Sequence, residues 1–243
     1  MARRSWLAFA AAFLGGLGLF DVVLGPLLIQ LGWVSPLFGF QWLFGLGLLE
    51  GVAALLLGLG ALWTTRPSAG RAGRPLAWFA VAAGGLLVAV GLAAAAPGFG
   101  LPAINDITTD PEDPPRFVAA REAPANRGRE MAYPEAFAPQ QRAAYPDLEP
   151  VRVSSPPRRA LELAEETARS LGWEVVAVDP EAGRLEARET STVFRFVDDV
   201  VVRVRPAPGG GSVVDVRSKS RDGRGDLGAN AARIRAFVQA LPR

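Results

Sequence analysis

WLAFAAAFLGGLGLFDVVLGPLLIQL, residues 6–31, is the first of three long apolar stretches in this chain, and the others occupy residues 37–63 and 76–96. A helix that crosses a bilayer needs about 20 mostly apolar residues. Each stretch reaches that length, with Asp21 as the charged residue of the first, Glu50 of the second and none in the third. Helices buried in soluble domains usually carry a polar face, which is missing here. Residues 1–97 are therefore predicted to form a transmembrane anchor of three helices in the lipid bilayer.

The arginines of this region predict how the anchor is oriented. They precede the first span and lie in the connection between the second and third, whereas residues 32–36 carry no charge. Basic residues of short loops stay on the cytoplasmic side. We therefore expect a multi-pass protein of the plasma (inner) membrane, with a cytoplasmic amino terminus and an extracytoplasmic region from about Pro97 onward. The arginines concerned are Arg3, Arg4, Arg66, Arg71 and Arg74.

Composition excludes several kinds of chemistry. The chain contains neither cysteine nor histidine, which rules out disulfides, thiolate nucleophiles, serine–histidine relays and thiolate or imidazole metal sites. Beyond residue 100, acidic and basic residues nearly balance, so the sequence shows no cationic patch of the kind that binds nucleic acid. We expect no cofactor, no metal and no nucleic-acid partner.

Two acids, Asp21 and Glu50, lie inside the predicted spans. At a rise of about 1.5 Å per residue, each is about 20 Å from the inner boundary, so an antiparallel hairpin would place them at one level. Unpaired carboxylates at that depth are costly, and we expect a protonated carboxyl or a shared proton or cation. We favour a hydrogen-bonded helix interface, with an ion or proton site as the alternative. Small residues at intervals of four and three predict a close helix seam beside Glu50: Gly47, Gly51, Ala54, Gly58 and Ala61.

The middle of the chain is rich in proline. Twelve of the 20 prolines fall between Pro97 and Pro157. Because proline removes a backbone donor and fixes φ, this stretch cannot be one continuous helix or strand. It also contains aromatic residues, which a bare linker would lack. We therefore expect residues 98–153 to form an extended segment packed along the following domain.

Residues 154–243 have the pattern of a small soluble domain. Apolar residues from Leu161 to Leu171 recur at helical spacing, four strand-like runs follow, and an apolar helical face extends from Leu227 to Leu241. Short turns between the runs favour antiparallel pairing. The predicted fold class is α+β, with two layers in which about four antiparallel strands are flanked by two helices. The runs are Trp173–Val178, Arg184–Glu189, Val193–Val204 and Val213–Ser220.

Several motifs of the soluble part occur together in a known family. They are FRFVDD at 194–199, DVRSKSR at 215–221 and GDLGAN at 225–230, preceded by INDITTD at 104–110 and YPD at 145–147. On these motifs, most of residues 103–241 resembles the uncharacterised bacterial and plastid family called domain of unknown function 1499, in its membrane-linked branch. The resemblance implies an envelope or organelle-lumen domain whose activity is unassigned.

The charged loop before the last helix is the candidate binding site. Arginines beside a helix start bind phosphate or carboxylate groups. Asp226 resembles the N-cap of that helix, however, and would occupy the same N–H groups. Because neighbouring aspartates are available to pair with the arginines, we favour a structural arginine–aspartate network over a ligand site. The candidate residues are Arg217, Arg221, Arg224, Asp198, Asp199 and Asp226.

These observations lead to one main functional hypothesis and two alternatives. The main hypothesis is a non-enzymatic envelope protein whose α+β module binds a partner protein or an envelope ligand. The first alternative is an enzyme acting on lipid or cell-wall material, with Asp198 and Asp199 as acid and base. Neighbours on one strand point to opposite faces, so they form that pair only if a bulge intervenes. The second alternative is an ion- or proton-linked role for Asp21 and Glu50.

Overall fold

A computed structural model describes residues 3–243, which fall into two compact units. One unit contains the described residues up to Pro97 together with Thr192–Arg195. The other contains Gly98–Ser191 and Phe196–Arg243.

The first unit is built from three long apolar helices: α1 (Trp6–Gln30), α2 (Pro36–Thr64) and α3 (Arg74–Ala95). Each is long and apolar enough to cross a membrane, which confirms the three predicted helices. Near its start, α2 is wound as a π-helix over Gly39–Phe44. Such π-helical turns are rare interruptions of an otherwise α-helical segment.

Small residues bring these helices into close contact. The buried residues of the main part of α2 are Gly47, Gly51, Ala54, Gly58 and Ala61, which is the predicted seam. A Cβ on Gly84 of α3 would lie 2.5 Å from both Gly51 O and Leu55 N of α2. The two helices therefore touch through their backbones, as small residues allow in membranes.

Arginines from two separate segments lie together at one end of the first unit. Arg3 and Arg4 pair in parallel with Arg71 and Ala72, so the chain before α1 lies beside the connection between α2 and α3. The Ser5 N–H extends this pairing to Ala72 O at 2.9 Å. The Ser5 side chain in turn caps α1 by accepting from the Ala8 N–H at 3.3 Å.

The second unit is an α+β domain with six strands in one antiparallel sheet. The predicted fold class is confirmed, and the sheet has two strands more than the four expected. In chain order the elements are β1 (Asp106–Thr108), α4 (Ala119–Glu122), α5 (Phe137–Ala144), β2 (Val151–Val153), α6 (Pro157–Ser170), β3 (Glu174–Asp179), β4 (Arg184–Thr190), β5 (Val197–Pro206), β6 (Ser212–Ser220) and α7 (Ala229–Ala240).

The proline-rich segment supplies the two additional strands. The sheet order is β1-β6-β5-β4-β3, and β2 also pairs with β6. One edge of β6 is thus shared, with β2 beside residues 212–214 and β1 beside residues 217–219. Between them, the Thr109 N–H donates to Val216 O and the Val216 N–H donates to Thr109 Oγ1, both at 2.9 Å. At the far edge, β3 carries a register shift between Val175 and Ala177.

The long strand β5 begins later than its sequence pattern predicts. Residues 193–196 lie in the loop before the strand, where Arg195 has a φ of 55°. The Ser191 N–H donates to Phe196 O at 2.8 Å, and the Phe196 N–H donates to Ser191 Oγ at 2.9 Å. These two bonds close the loop, so sheet pairing starts only at Val197.

The first face of the sheet is mostly apolar and is covered by α6 and α7. Val200, Val202 and Val204 of β5 point to this face and are buried against both helices. Trp173 and Phe237 stack here with ring centroids 5.1 Å apart. This layer is the core that helical and strand periodicity predict.

The second face is covered by residues 109–133, a mostly irregular stretch that includes the short helix α4 and that we name the cover segment. Val201 is buried here with Phe117, Ala120 and Met131. Where the cover segment is buried against the sheet, its N–H and C=O groups need partners within the protein. Charged side chains of the sheet provide them.

Glu186 of β4 is the main acceptor for the cover segment. Its carboxylate receives the N–H groups of Val118, Ala119 and Ala120 at 2.8, 3.0 and 2.8 Å. Arg203 of β5 donates to Asp113 O at 2.7 Å. The charged face of the sheet thereby fixes the path of the loop above it.

Replacing Gly84 by alanine should destabilise the helical unit. The added Cβ would meet two α2 backbone atoms at 2.5 Å. We expect a cost of about 1–3 kcal/mol, as for other overpacked contacts, seen as a lower melting temperature of the full-length protein in detergent. Gly85→Ala is the matched control, because a Cβ there meets no heavy atom within 4 Å. Equal melting temperatures for the two variants would contradict the close contact.

Replacing Glu186 by glutamine should loosen the cover segment. Glu186 is 1% exposed. In the glutamine variant, the amide NH₂ would face a backbone N–H that now donates to a carboxylate oxygen, so two donors would meet without an acceptor. We expect a loss of about 1–3 kcal/mol, the cost of an unpaired buried polar group. Amide hydrogen exchange should also become faster at Val118, Ala119 and Ala120.

Glu174→Gln is the control for this change, since that side chain is 61% exposed and pairs with Arg188 at the surface. We expect it to leave the melting temperature and the exchange of residues 118–120 nearly unchanged. Similar behaviour of the two variants would show that Glu186 does not hold the cover segment.

Candidate functional site

The centre of the charged face is an ion cluster of one carboxylate and two cations. Arg217 Nε and Nη2 each lie 2.8 Å from an oxygen of Asp106, and Lys219 Nζ lies 3.0 Å from Asp106 Oδ2. Sheet register brings them together, because Asp106 of β1 is opposite Lys219 of β6. Asp106 is fully buried, and the Lys219 side chain is 14% exposed.

Arg217 is an interior residue whose donors are bound within the domain. Besides Asp106, its guanidinium donates to Pro115 O at 3.0 Å and Met131 O at 2.9 Å in the cover segment. It lies over the rings of Phe117 and Tyr133, 4.8 and 5.6 Å from their centroids. The structure therefore places this predicted ligand residue where it holds the cover segment in place.

Tyr133 and Gln141 complete the wall behind this cluster. The Tyr133 hydroxyl donates to Gln141 Oε1 at 3.1 Å. Gln141 also accepts from the Thr108 N–H at 3.0 Å and donates to Thr108 O at 2.6 Å, as a neighbouring strand would. Burial raises the pKa of Tyr133, and the Asp106 carboxylate adds to that effect, so the phenol stays protonated.

Asp198 and Asp199 point to opposite faces of β5. Asp198 lies toward α7, where Arg233 Nη2 donates to it at 2.6 Å. Asp199 lies under the cover segment, where Arg221 donates at 2.6 and 2.9 Å and Asn126 Nδ2 at 2.8 Å. The pairing of β4 and β5 runs through both residues without a register shift. The two carboxyls therefore do not face a common space.

The start of α7 is occupied by its own aspartate. Asp226 accepts the N–H groups of Gly228 and Asn230 at 2.9 and 2.8 Å. Burial raises the pKa of Asp226, while these hydrogen bonds oppose the rise. Arg224 lies exposed in the same loop. The N–H groups of Gly228 and Asn230 are therefore not free to bind an anion.

A second group of charges lies at the other end of the sheet face. Asp215 is fully buried and pairs with Arg203 and Arg205 at 3.0 and 2.8 Å. Burial raises its pKa, and the two arginines lower it. Arg203 also pairs with Asp110 and Asp113 of the cover segment, at 3.2 and 2.9 Å. Asp110 and Asp113 therefore attach the cover segment to Arg203 of the sheet.

A cavity of about 250 Å³ opens between the cover segment and the end of the sheet. Two of the six candidate residues from the sequence, Asp199 and Arg221, line it. The structure adds lining residues that sequence patterns did not single out, on the cover segment and on β6. The wall includes Asn126, Arg129, Glu130, Asp199, Lys219 and Arg221.

Asn126 is the most unusual group in this wall. Its side chain is 2% exposed. Nδ2 donates to Ala120 O at 2.7 Å and to Asp199 Oδ2 at 2.8 Å, so both amide donors have acceptors. That pairing fixes the orientation of the amide. Among residues 3–243, no donor reaches the buried Oδ1. An acceptor left in this state is costly, and in native proteins a water or an ion often supplies the missing partner.

Lys219 and Arg221 provide donors in the same wall. The Lys219 ammonium has three N–H donors, and within the described chain its hydrogen bond is to Asp106 Oδ2. Arg221 uses Nε and Nη2 on Asp199. On the rim, Arg129 pairs with Asp222 at 3.1 Å and also donates to Arg221 O. The wall of the cavity thus contains three cations, Arg129, Lys219 and Arg221, and two carboxylates, Glu130 and Asp199.

In the first unit, Asp21 and Glu50 lie at the interface of α1 and α2. A Cβ on Gly18 of α1 would be 3.3 Å from Glu50 Cβ, and Asp21 follows Gly18 by three residues, on the same helical face. Asp21 is among the buried residues of α1. Within the described residues, Glu50 Oε2 is buried and has no hydrogen-bond partner.

Comparison with known proteins identifies the family. No protein of curated function matches the chain significantly in sequence. A family model described as a protein of unknown function (DUF1499) matches residues 106–241, which is more than half of the chain. This match confirms the family resemblance drawn from the motifs. The chain belongs to the family described as protein of unknown function (DUF1499).

Proposed function

We propose that this protein is a non-enzymatic envelope protein in which three membrane-spanning helices anchor an extracytoplasmic α+β module that binds an envelope ligand. The observation that carries the proposal is the cavity beneath the cover segment, whose wall includes Asn126, Lys219 and Arg221. Convergent polar groups in a concave site fix the orientation of a small ligand.

The arrangement of charges at one end of the helical unit supports the orientation. Arg3 and Arg4 lie against Arg71 and Ala72, so the basic residues before α1 and those between α2 and α3 share that end. Basic residues of short loops favour the cytoplasmic side. An odd number of spans then directs the chain after α3 to the opposite side.

The carboxylates of the domain favour binding over acid–base catalysis. A pair of catalytic carboxyls must face one space across a bound substrate. Asp198 and Asp199 face opposite sides of the sheet, and each is held by an arginine. Neither is poised to exchange a proton with a substrate between them.

Single cysteines provide a direct test of sidedness and of the cavity, because the chain contains no cysteine of its own. Glu130→Cys places a thiol at the cavity, Glu135→Cys places one elsewhere on the same domain, and Ser68→Cys places one between α2 and α3. With a membrane-impermeant maleimide on intact cells, we expect Glu130→Cys and Glu135→Cys to be labelled and Ser68→Cys to react only after permeabilisation.

The ratio of the two domain labels tests occupancy. A ligand in the cavity should slow labelling at position 130 relative to position 135 in native membranes, and extensive washing of purified protein should raise that ratio. The reverse pattern of sidedness would contradict the extracytoplasmic module. An unchanged ratio would contradict a ligand in this cavity while leaving the orientation intact.

A further inference from the structure

We infer that two loops lie on the lipid head groups of the membrane that the three helices cross, and that a cation in each loop binds the phosphate of an anionic phospholipid. The first loop is residues 192–195, between β4 and β5, and its cation is Arg195. The second loop is residues 223–228, between β6 and α7, and its cation is Arg224. The lipid contact rests on the membrane crossing in the proposed function, and neither on the cavity nor on the sidedness of the domain.

The first loop is held at the end of a membrane-spanning helix. Gln30, the last residue of α1, donates from Nε2 to Thr192 O at 2.5 Å and to Val193 O at 2.9 Å. The ring centroid of Phe194 lies 5.0 Å from those of two phenylalanines in the π-helical turns near the start of α2. All of these residues belong to the first unit. The loop is therefore fixed where α1 ends and α2 begins.

The end of α1 lies at one boundary of the bilayer. This apolar helix ends at Gln30, and Trp33, which is 75% exposed, follows it in the connection to α2. Tryptophan is enriched at membrane–water interfaces. Gln30 and the first loop, which it holds, are therefore placed at the level of the head groups.

The second loop packs along the chain that leaves α3. Gly98 ends the third apolar segment and is the first residue of the second unit. A Cβ on Gly98 would lie 3.2 Å from Leu227 Cβ, so these two residues are in contact. Farther along the same stretch, Asn105 Nδ2 donates to Gly223 O at 2.7 Å. These contacts fix the second loop beside the point where the chain emerges from its last span.

Arg224 is within reach of the head groups from this position. The segment Arg74–Gly98 is about 37 Å long at about 1.5 Å per residue. The hydrocarbon core is about 30 Å thick, with about 5–8 Å of head groups on each side. A helix of this length carries Gly98 past the hydrocarbon into the head-group layer. Arg224 precedes Leu227 by three residues, which extend over at most about 10 Å, so its guanidinium reaches the same layer.

Both loops combine a cation with an exposed aliphatic side chain and a strained backbone. Val193 is 53% exposed and Leu227 is 51% exposed. Among residues 3–243, the non-glycine residues with a left-handed φ are Arg195 at 55° and Leu227 at 54°. Such positions are uncommon and cluster at functional sites. Basic and aliphatic side chains together are typical of segments that lie in a bilayer interface.

The neighbouring charges leave both cations available to a phosphate. Arg195 and Arg224 are exposed, neither has an ion pair within residues 3–243, and the first loop contains no acid. The acids next to Arg224 are engaged. Asp222 pairs with Arg129, and Asp226 accepts two N–H groups at the start of α7, where the helix dipole compensates its charge. Arginine binds phosphate through paired hydrogen bonds.

Single cysteines that carry a fluorophore test the contact with lipid. Val193→Cys and Leu227→Cys place the fluorophore in the loops. Val178→Cys is the matched control, an exposed valine of β3 that pairs with Leu185 at the start of β4, whereas the first loop follows the other end of β4. The full-length protein is reconstituted in nanodiscs of phosphatidylcholine that bears a nitroxide on the acyl chain beside the glycerol. We expect strong quenching at positions 193 and 227 and little quenching at position 178.

The same measurement tests the phosphate sites when the nitroxide is carried by phosphatidylglycerol. We expect this anionic lipid to associate with positions 193 and 227 up to about fivefold more strongly than phosphatidylcholine does, the effect of one basic residue at a membrane surface. Arg195→Asn, which tolerates the left-handed backbone, should abolish the preference at position 193 and retain it at position 227. Arg224→Gln should do the reverse. Arg195→Lys and Arg224→Lys should retain both preferences.

Each loop is judged by its own cysteine and its own arginine. Quenching at position 193 or 227 as weak as at position 178 would overturn the lipid contact of that loop, and a loop reserved for a protein partner would give this result. Equal association of the two lipids, or a preference that survives the loss of the loop's arginine, would overturn its phosphate site. Labelling at positions 68, 130 and 135 is a separate measurement, so failure here would leave the proposed function intact.

Discussion

A largely irregular chain packed on a β-sheet must find a partner for each backbone group that it buries, and the α+β domain is arranged around this constraint. Its helix-covered face is mostly apolar, and the backbones of α6 and α7 are satisfied within the helices. The opposite face carries the charged side chains that bind the cover segment, in which α4 is the one α-helix. Glu186 accepts hydrogen bonds from three of its N–H groups, and Arg217 donates to two of its carbonyl oxygens.

The same constraint explains why the buried charges occur in combinations. Each cation that binds a carbonyl of the cover segment also needs a carboxylate, since a buried guanidinium without one is costly. Asp106 serves Arg217 in this way, and Asp215 serves Arg203. The cluster of Asp106, Arg217 and Lys219 joins one carboxylate to two cations, and it borders the cavity.

Periodicity identified the elements that bury a regular face. The seam of α2 and the alternation of β5 were readable because neighbouring residues along the chain decide them. The strands β1 and β2 were missed, since each has three residues and forms only against β6. Arg217 illustrates the limit for the site. Its partners Pro115 and Met131 precede it by 102 and 86 residues, so no local pattern shows that its donors are already bound. The orientation of the Asn126 amide likewise depends on Asp199, which follows it by 73 residues.

The two edges of the sheet are built in ways that limit strand pairing between molecules. On one side the outermost strands are β1 and β2, each too short to template a long partner. On the other side β3 exposes Val176 and Val178, and its bulge interrupts the row of amides that an incoming chain would need. Short edge strands and β-bulges are means by which natural sheets avoid edge-to-edge pairing with another chain. Both edges therefore disfavour backbone pairing between neighbouring copies of the domain.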